Sequence, residues 1–244
     1  MTLVRSLTFQ FAFYLLTALM TVLSVPCFVF SPERGGGWVS RLWASIGVGL
    51  LRLIVGIRLV VRGTENLPPG GSLIAAKHQS MFETFALLTV FDRPTFVMKQ
   101  ELLRIPLWGW FAKRIGTIAV RRDQGTSALR HLAVDVVKAI ERDRQVVIFP
   151  EGTRRPPGAA PSYKGGIAYL YRKTGVPVVP LALNSGLFWP RRPLRLYPGT
   201  IVFSFLPPIA PGLKSSNFMA RLESDIETES NRLLIETAGA RPPS

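Results

Sequence analysis

The chain has 244 residues, room for one sizeable core or for one domain with an appendage. Lys and Arg number 30 against 15 Asp and Glu, a formal charge of +15 that calls for an anionic partner: a membrane surface, nucleic acid or a phosphorylated substrate. A hydrophobic content of 48% excludes a basic disordered tail, and the single cysteine, Cys27, excludes an intrachain disulfide.

Ser6 to Pro32 carries no charged residue and is rich in Phe, Leu and Val. As a helix it is long enough to cross a hydrocarbon core of about 30 Å. A signal peptide is the competing reading. Against it stand the length of the run, the lone Arg5 before it and the lack of a small-x-small cleavage site. A second apolar segment, Trp38 to Ile57, carries Arg41 and Arg52, which at about 100° per residue point nearly the same way, with Ser45 beside them. Leu42, Ile46, Leu50 and Leu53 take another side. The pattern predicts a helix lying in the interface or packed on the first; a helix of a soluble core is the other reading. Arg34, Arg41, Arg52 and Arg58 follow the first segment, so the positive-inside tendency puts the rest of the chain on the cytoplasmic side, at the inner membrane.

From Ile57 onward short β-like runs alternate with helix-like stretches. The strands expected are Arg58–Arg62, Ser72–Ala76, Thr95–Met98, Thr117–Val120, Gln145–Phe149, Val176–Leu183 and Thr200–Leu206. The helices expected are Phe82–Phe91, Ile105–Ile115, Thr126–Arg142, Gly165–Thr174 and Asn217–Ile235. Alternation of this kind implies an α/β fold: a mostly parallel sheet flanked by helices, with an N-terminal membrane-associated helical segment. The expected division is 1–57 for anchoring helices, 58–237 for the α/β domain and 238–244 for a disordered tail.

In such sheets chemistry collects in the loops at the carboxyl ends of strands. His78-Gln79-Ser80-Met81-Phe82-Glu83 sits at one such end. Histidine suits proton removal near neutral pH, and a carboxylate beside it can fix its tautomer and stabilise the imidazolium. Residues five apart do not face each other on one helix, so the pair meets only if His78 precedes the helix and Glu83 lies in its first turn. Ser80 as N-cap with Glu83 three residues on supports that, because it reads as a capping box. The same box supplies a bland reading, in which Glu83 only closes the helix end and His78 is an ordinary loop residue.

Three further segments carry functional groups. Arg121 and Arg122 end the strand after Gly116, and a guanidinium fork suits phosphate. Phe149-Pro150-Glu151-Gly152-Thr153-Arg154 leaves the apolar strand Val146–Ile148 in a tight turn that presents Glu151 and Arg154 together, for a ligand or for an ion pair within the loop. Lys164-Gly165-Gly166 opens a helix, where backbone N–H groups favour anions. Val176 to Pro180 has prolines flanking an apolar pair, which reads as an edge strand, a groove wall or, equally, simple packing. No Cys/His cluster offers a metal site, and His131, mid-helix, takes no role.

Together these segments resemble the glycerolipid acyltransferase family. The resemblance covers Ile57 to Pro208, with all four blocks in family order, and the combination of His-x-x-x-x-acid with Phe-Pro-Glu-Gly-Thr-Arg is specific. The first block usually ends in Asp; Glu83 keeps the charge and adds a methylene. The basic pair after the third block reads Tyr163-Lys164-Gly165 here, so only Lys164 is carried over. The resemblance implies transfer of a fatty acyl group from a coenzyme A or acyl carrier protein thioester to the free hydroxyl of 1-acylglycerol-3-phosphate. His78 would be the general base and Glu83 its support. Arg122, Glu151, Gly152, Thr153, Arg154 and Lys164 would hold the glycerol phosphate head. No cofactor is implied beyond the thioester co-substrate, and no acyl-enzyme, since there is no Gly-x-Ser-x-Gly elbow. The implied partners are membrane lipids, a lysophospholipid acceptor and the thioester donor. Arg191, Arg192 and Arg195 add basic surface for anionic lipid or an acidic carrier. Another lysolipid acceptor fits the same residues. A membrane-anchored binding protein for anionic lipid or nucleic acid fits the charge alone, but the basic residues are dispersed and no nucleic-acid motif is present, so no nucleic-acid partner is expected.

Overall fold

The structure is a computed structural model that describes residues 2–30, 32–104, 109, 112, 116–120, 125–191 and 194–239. Among the described residues seven strands form one sheet in the order β1-β7-β6-β2-β5-β3-β4. They are β1 (Ile57–Arg62), β2 (Ser72–Ala76), β3 (Pro94–Lys99), β4 (Ile118–Val120), β5 (Gln145–Ile148), β6 (Val178–Leu183) and β7 (Gly199–Phe205). Every pairing is parallel except β6 with β7. The five strands from β6 to β4 therefore run one way, and β7 and β1 run the other.

The central strands are apolar on both faces because both faces are covered. All five residues of β2 and all six of β6 are buried. Ile74, Ala76, Val147, Val179 and Leu181 join one core, and Leu73, Ala75, Val146, Ile148 and Val178 the other. The first core is shared with α4 (Phe82–Val90) and with the N-terminal helices α1 (Thr2–Leu23) and α3 (Pro32–Leu50); α2 (Val25–Phe30) lies between these two. The second is closed by α5 (Gly125–Glu141), α6 (Gly166–Thr174) and α7 (Ser215–Gly239). The result is a layer of helices on each side of the sheet.

β6 lies inside the sheet between β2 and β7, so the edge-strand reading of Val176 to Pro180 is corrected. The cost of Pro180 is small at its position. Its carbonyl accepts from Leu206 N at 2.9 Å, and the ladder with β7 begins only at Leu181, so the missing N–H falls at the end of that pairing.

The N-terminal helices are apolar on two sides. Ser6, Phe9 and Phe13 of α1 are buried. Phe13 packs on Trp43 and Phe85 with ring centroids 5.4 and 5.2 Å apart, and Phe9 on Trp189 at 5.5 Å. The opposite side of α1 exposes Val4, Leu7, Phe11, Tyr14, Leu15, Leu19 and Val22. That spacing traces one continuous helical face. Both N-terminal segments are long and apolar enough to cross a membrane. Arg41 and Arg52 part company: Arg41 Nη2 donates to Phe91 O at 2.6 Å and to Asp92 Oδ1 at 2.7 Å, while Arg52 is exposed with no acidic partner among the described residues. The helix expected at 105–115 lies outside the described residues except at 109 and 112, as does the tail beyond 239; Ala238 and Gly239 belong to α7.

Candidate active site

Lys77 and His78 leave the carboxyl end of β2, and β5 ends beside it in Phe149-Pro150-Glu151. α4 starts at Phe82 because the turn before it is capped from both sides. Ser80 Oγ accepts from Phe82 N at 3.0 Å, and Glu83 Oε1 accepts from Ser80 N at 2.7 Å. Half of the expected capping box is present: Glu83 takes the Ser80 N–H, but Met81 and not Ser80 stands at the N-cap, and Ser80 Oγ takes the Phe82 N–H in place of that of Glu83. The same carboxylate oxygen also meets His78 Nδ1 at 2.9 Å and Gln79 N at 2.7 Å. Closing the helix and facing the imidazole are thus one arrangement and not two alternatives.

The carboxylate is fully buried, and its second oxygen, Oε2, accepts from Ser185 Oγ at 2.7 Å. An ionised carboxylate only accepts, so a neutral imidazole facing it carries its proton on Nδ1 and leaves Nε2 as the ring's acceptor. Phe149 stacks on the imidazole with centroids 4.0 Å apart and planes 21° apart. The side chain of His78 is 15% exposed, so an edge of the ring is accessible.

The loop after β5 is braced from below. Glu151 is buried, and its Oε1 accepts from Lys77 Nζ at 3.1 Å. Lys77 Nζ also donates to Glu227 Oε1 of α7 at 2.6 Å, and Tyr163 OH donates to that oxygen at 2.9 Å. Burial pushes the Glu151 carboxyl above its ordinary value, only partly offset by the Lys77 charge. Burial and then Glu227 push the Tyr163 hydroxyl strongly upward, so it stays a neutral donor. Gly152 turns the loop at φ +65°, a conformation that favours glycine, and its N–H donates to Phe149 O at 2.9 Å. Arg155 N donates to His78 O at 2.8 Å, tying this loop to the turn after β2.

The residues expected to hold a phosphate head separate into two groups. Thr153 and Lys164 are exposed, and Gly152 and Arg154 are half-buried, with no acidic partner for Arg154 among the described residues. Glu151 instead faces inward to Lys77, so the ion pair within the loop is not the one with Arg154; Arg155 Nε stands 4.0 Å from Glu151 Oε1. Arg122 and Arg192 lie outside the described residues. Lys164 N donates to Pro150 O at 3.0 Å, which joins the start of α6 to the loop. Sequence reasoning passed over Lys77, Gln79, Phe149, Ser185 and Glu227. Only Lys77 carried a signal, a lone charge ending a strand apolar on both faces.

Comparison with known proteins gives the family and the fold. The Acyltransferase family model matches residues 58–184. The 1-acyl-sn-glycerol-3-phosphate acyltransferase of Pseudomonas aeruginosa is 40% identical over 164 residues, 67% of this chain and 64% of that protein. A chloroplastic 1-acyl-sn-glycerol-3-phosphate acyltransferase of Brassica napus is 30% identical over 148 residues, 60% of this chain and 41% of that protein. The chain thus spans less than two thirds of the length of these relatives. Among solved structures, the 1-acyl-sn-glycerophosphate acyltransferase of Thermotoga maritima matches with a TM-score of 0.77 at 22% identity, covering 96% of this chain and 99% of that one, a likeness of fold.

Proposed function

The chain belongs to the Acyltransferase family, and from that premise we propose that it moves a fatty acyl group from an acyl thioester to the free hydroxyl of 1-acylglycerol-3-phosphate, forming phosphatidic acid. The donor is carried by coenzyme A or acyl carrier protein. The observation that carries the proposal is the bond from His78 Nδ1 to the buried carboxylate of Glu83, at the carboxyl end of β2 and beside the Glu151–Arg154 loop.

The steps follow from the tautomer. His78 Nε2 takes the proton of the acceptor hydroxyl as its oxygen attacks the thioester carbonyl. Glu83 balances the imidazolium that forms. The tetrahedral intermediate collapses, the C–S bond breaks, and the leaving thiolate takes the proton back from the imidazolium. Arg154 and Lys164, with Gly152 and Thr153 of the same loop and Arg122, hold the phosphate head. Glu151 serves this group from beneath, by fixing the loop through Lys77. The curated relatives carry the name of this reaction, which supports the choice of acceptor.

The two apolar N-terminal segments support association with a membrane, where acceptor and product reside. The exposed face of α1 enters the lipid interface, and the α/β domain faces the cytoplasm. Arg52, Arg191 and Arg195, all exposed, add attraction to anionic lipid.

The test is acyl transfer by the purified protein, with a panel of lysolipids and both thioester donors. Phosphatidic acid is the expected fastest product. A lyso-amino-acid lipid or a larger-headed lysophospholipid acylated faster would replace the acceptor; binding to anionic vesicles without transfer from either donor would overturn the enzymatic reading. Glu83→Asp retains more activity than Glu83→Gln if the charge on the imidazole matters, and the opposite order would leave only the capping role.

A further inference from the structure

Glu83 Oε1 is held by its own turn: the amides of Gln79 and Ser80 and the imidazole of His78 all come from within five residues. These bonds fix one oxygen. They leave the carboxylate plane to be set by whatever meets the other oxygen. That partner comes from far along the chain. Ser185 opens the short helical turn Ser185–Leu187 after β6, is fully buried, and donates its hydroxyl to Glu83 Oε2 at 2.7 Å across 102 residues of sequence. It lies just beyond the residues that the family model matches, 58–184.

The neighbouring residue makes a second bond of the same kind. Gly186 N donates to Gln79 Oε1 at 3.0 Å. A Cβ at position 186 would meet Pro157 Cδ at 2.8 Å and Gln79 Cβ at 3.0 Å, so only glycine lets the two turns approach this closely. Asn184, before them, is pinned by Val202 N to its Oδ1 at 2.8 Å and by its Nδ2 to Thr237 Oγ1 at 3.0 Å. The turn after β6 is therefore fixed to the sheet and to α7 independently of the site, and it grips the His78 turn at two points.

We propose that Ser185 is a positioning residue: it sets the plane of the Glu83 carboxylate and thereby the orientation of the His78 imidazole. This rests on the reading of His78 as general base. A glutamate side chain has one more rotatable bond than an aspartate, and the Ser185 hydroxyl removes that freedom with a charge-assisted hydrogen bond.

The experiment measures kcat and both KM values for Ser185→Ala, Ser185→Cys and Ser185→Thr, each checked by thermal melting, in the wild-type and Glu83→Gln backgrounds. Ser185→Ala should lower kcat about 10–100-fold, the scale of one hydrogen bond to a charged group, with both KM values within about twofold. Restoring a donor in Ser185→Thr or Ser185→Cys should recover part of the loss, which a purely packing role would not predict. In the Glu83→Gln background Ser185→Ala should cost less than about threefold, because the charge it orients is gone. Wild-type kcat in Ser185→Ala, equal losses in both backgrounds, or a rise in KM at constant kcat would overturn the proposal. If His78→Ala is inactive and Ser185→Ala is normal, this proposal fails alone; if His78→Ala is active, the base reading fails and takes this one with it.

Discussion

Adjacent parallel strands β2 and β5 each lead into a buried glutamate, and the two carboxylates are held in opposite ways. Glu83 is surrounded by amide, hydroxyl and imidazole donors that satisfy both of its oxygens. Glu151 leans on a counter-ion, Lys77, with its Oε2 unpartnered among the described residues, and burial raises its pKa. A carboxylate held by neutral dipoles keeps its charge available for a neighbouring ring. One held by an ammonium group has that charge already spent on holding a loop in place. On the proposed reading the first serves chemistry, and the second architecture.

Substitutions on the two sides should therefore fail differently. The largest effect is on turnover: His78→Ala should lose about 10²–10⁴-fold in kcat with an unchanged urea midpoint, and near-normal turnover would remove His78 from the chemistry. On the other side, Lys77→Met leaves Glu151 and Glu227 without their shared cation. It should destabilise the fold by roughly 3–5 kcal/mol, the cost of breaking a buried ion pair from one end; urea unfolding showing under about 1 kcal/mol would mean the cluster behaves as a surface network.

A smaller effect separates binding from both. Arg154→Lys should raise the acceptor KM about tenfold, since an ammonium group cannot reproduce a two-pronged guanidinium contact. A selective rise for the thioester donor would contradict the placement of the phosphate head. The smallest effect is in pH. A carboxyl raised in the folded state contributes stability that is fully present below its unfolded pKa, about 4.5, and is lost as pH rises through the folded value. The wild type should therefore lose ground against Glu151→Gln as pH rises from that point upward. A pH-independent difference in urea midpoint between the two would show that Lys77 fully offsets the burial.

Local chemistry was legible in the residues, and long-range chemistry was not. The strands from Ser72 and Gln145 start where expected because short apolar runs are bounded by Gly, Arg and Pro. The His78 turn was readable because its donors and acceptors lie within six residues. Lys77–Glu227 spans 150 residues and Ser185–Glu83 spans 102, and nothing in either local pattern announces the partner. The reversal between β6 and β7 was hidden for a related reason. β7 is as apolar as a parallel strand, because α7 covers part of it, so direction leaves no mark on composition. The tie between Arg41 and Asp92 was hidden in the same way, since spacing puts a guanidinium on a face without naming its partner on another loop.

The pairing of β1 with β7 has a consequence for how the protein is made. Ile57 is partnered by Gly199 and Arg62 by Ser204, so the strand that follows the N-terminal helices waits for the last strand of the sheet. At a synthesis rate of about 5–20 residues per second, that wait is on the order of ten seconds. Through it β1 presents unpaired backbone and apolar side chains. Ile57, which belongs with Phe9 and Val55 to one core, cannot be sealed until Ile201 and Phe203 arrive. The nascent chain thus passes through a stage in which α1 and α3 exist and their sheet does not. Whatever shields those helices from water during that interval governs the yield of folded protein.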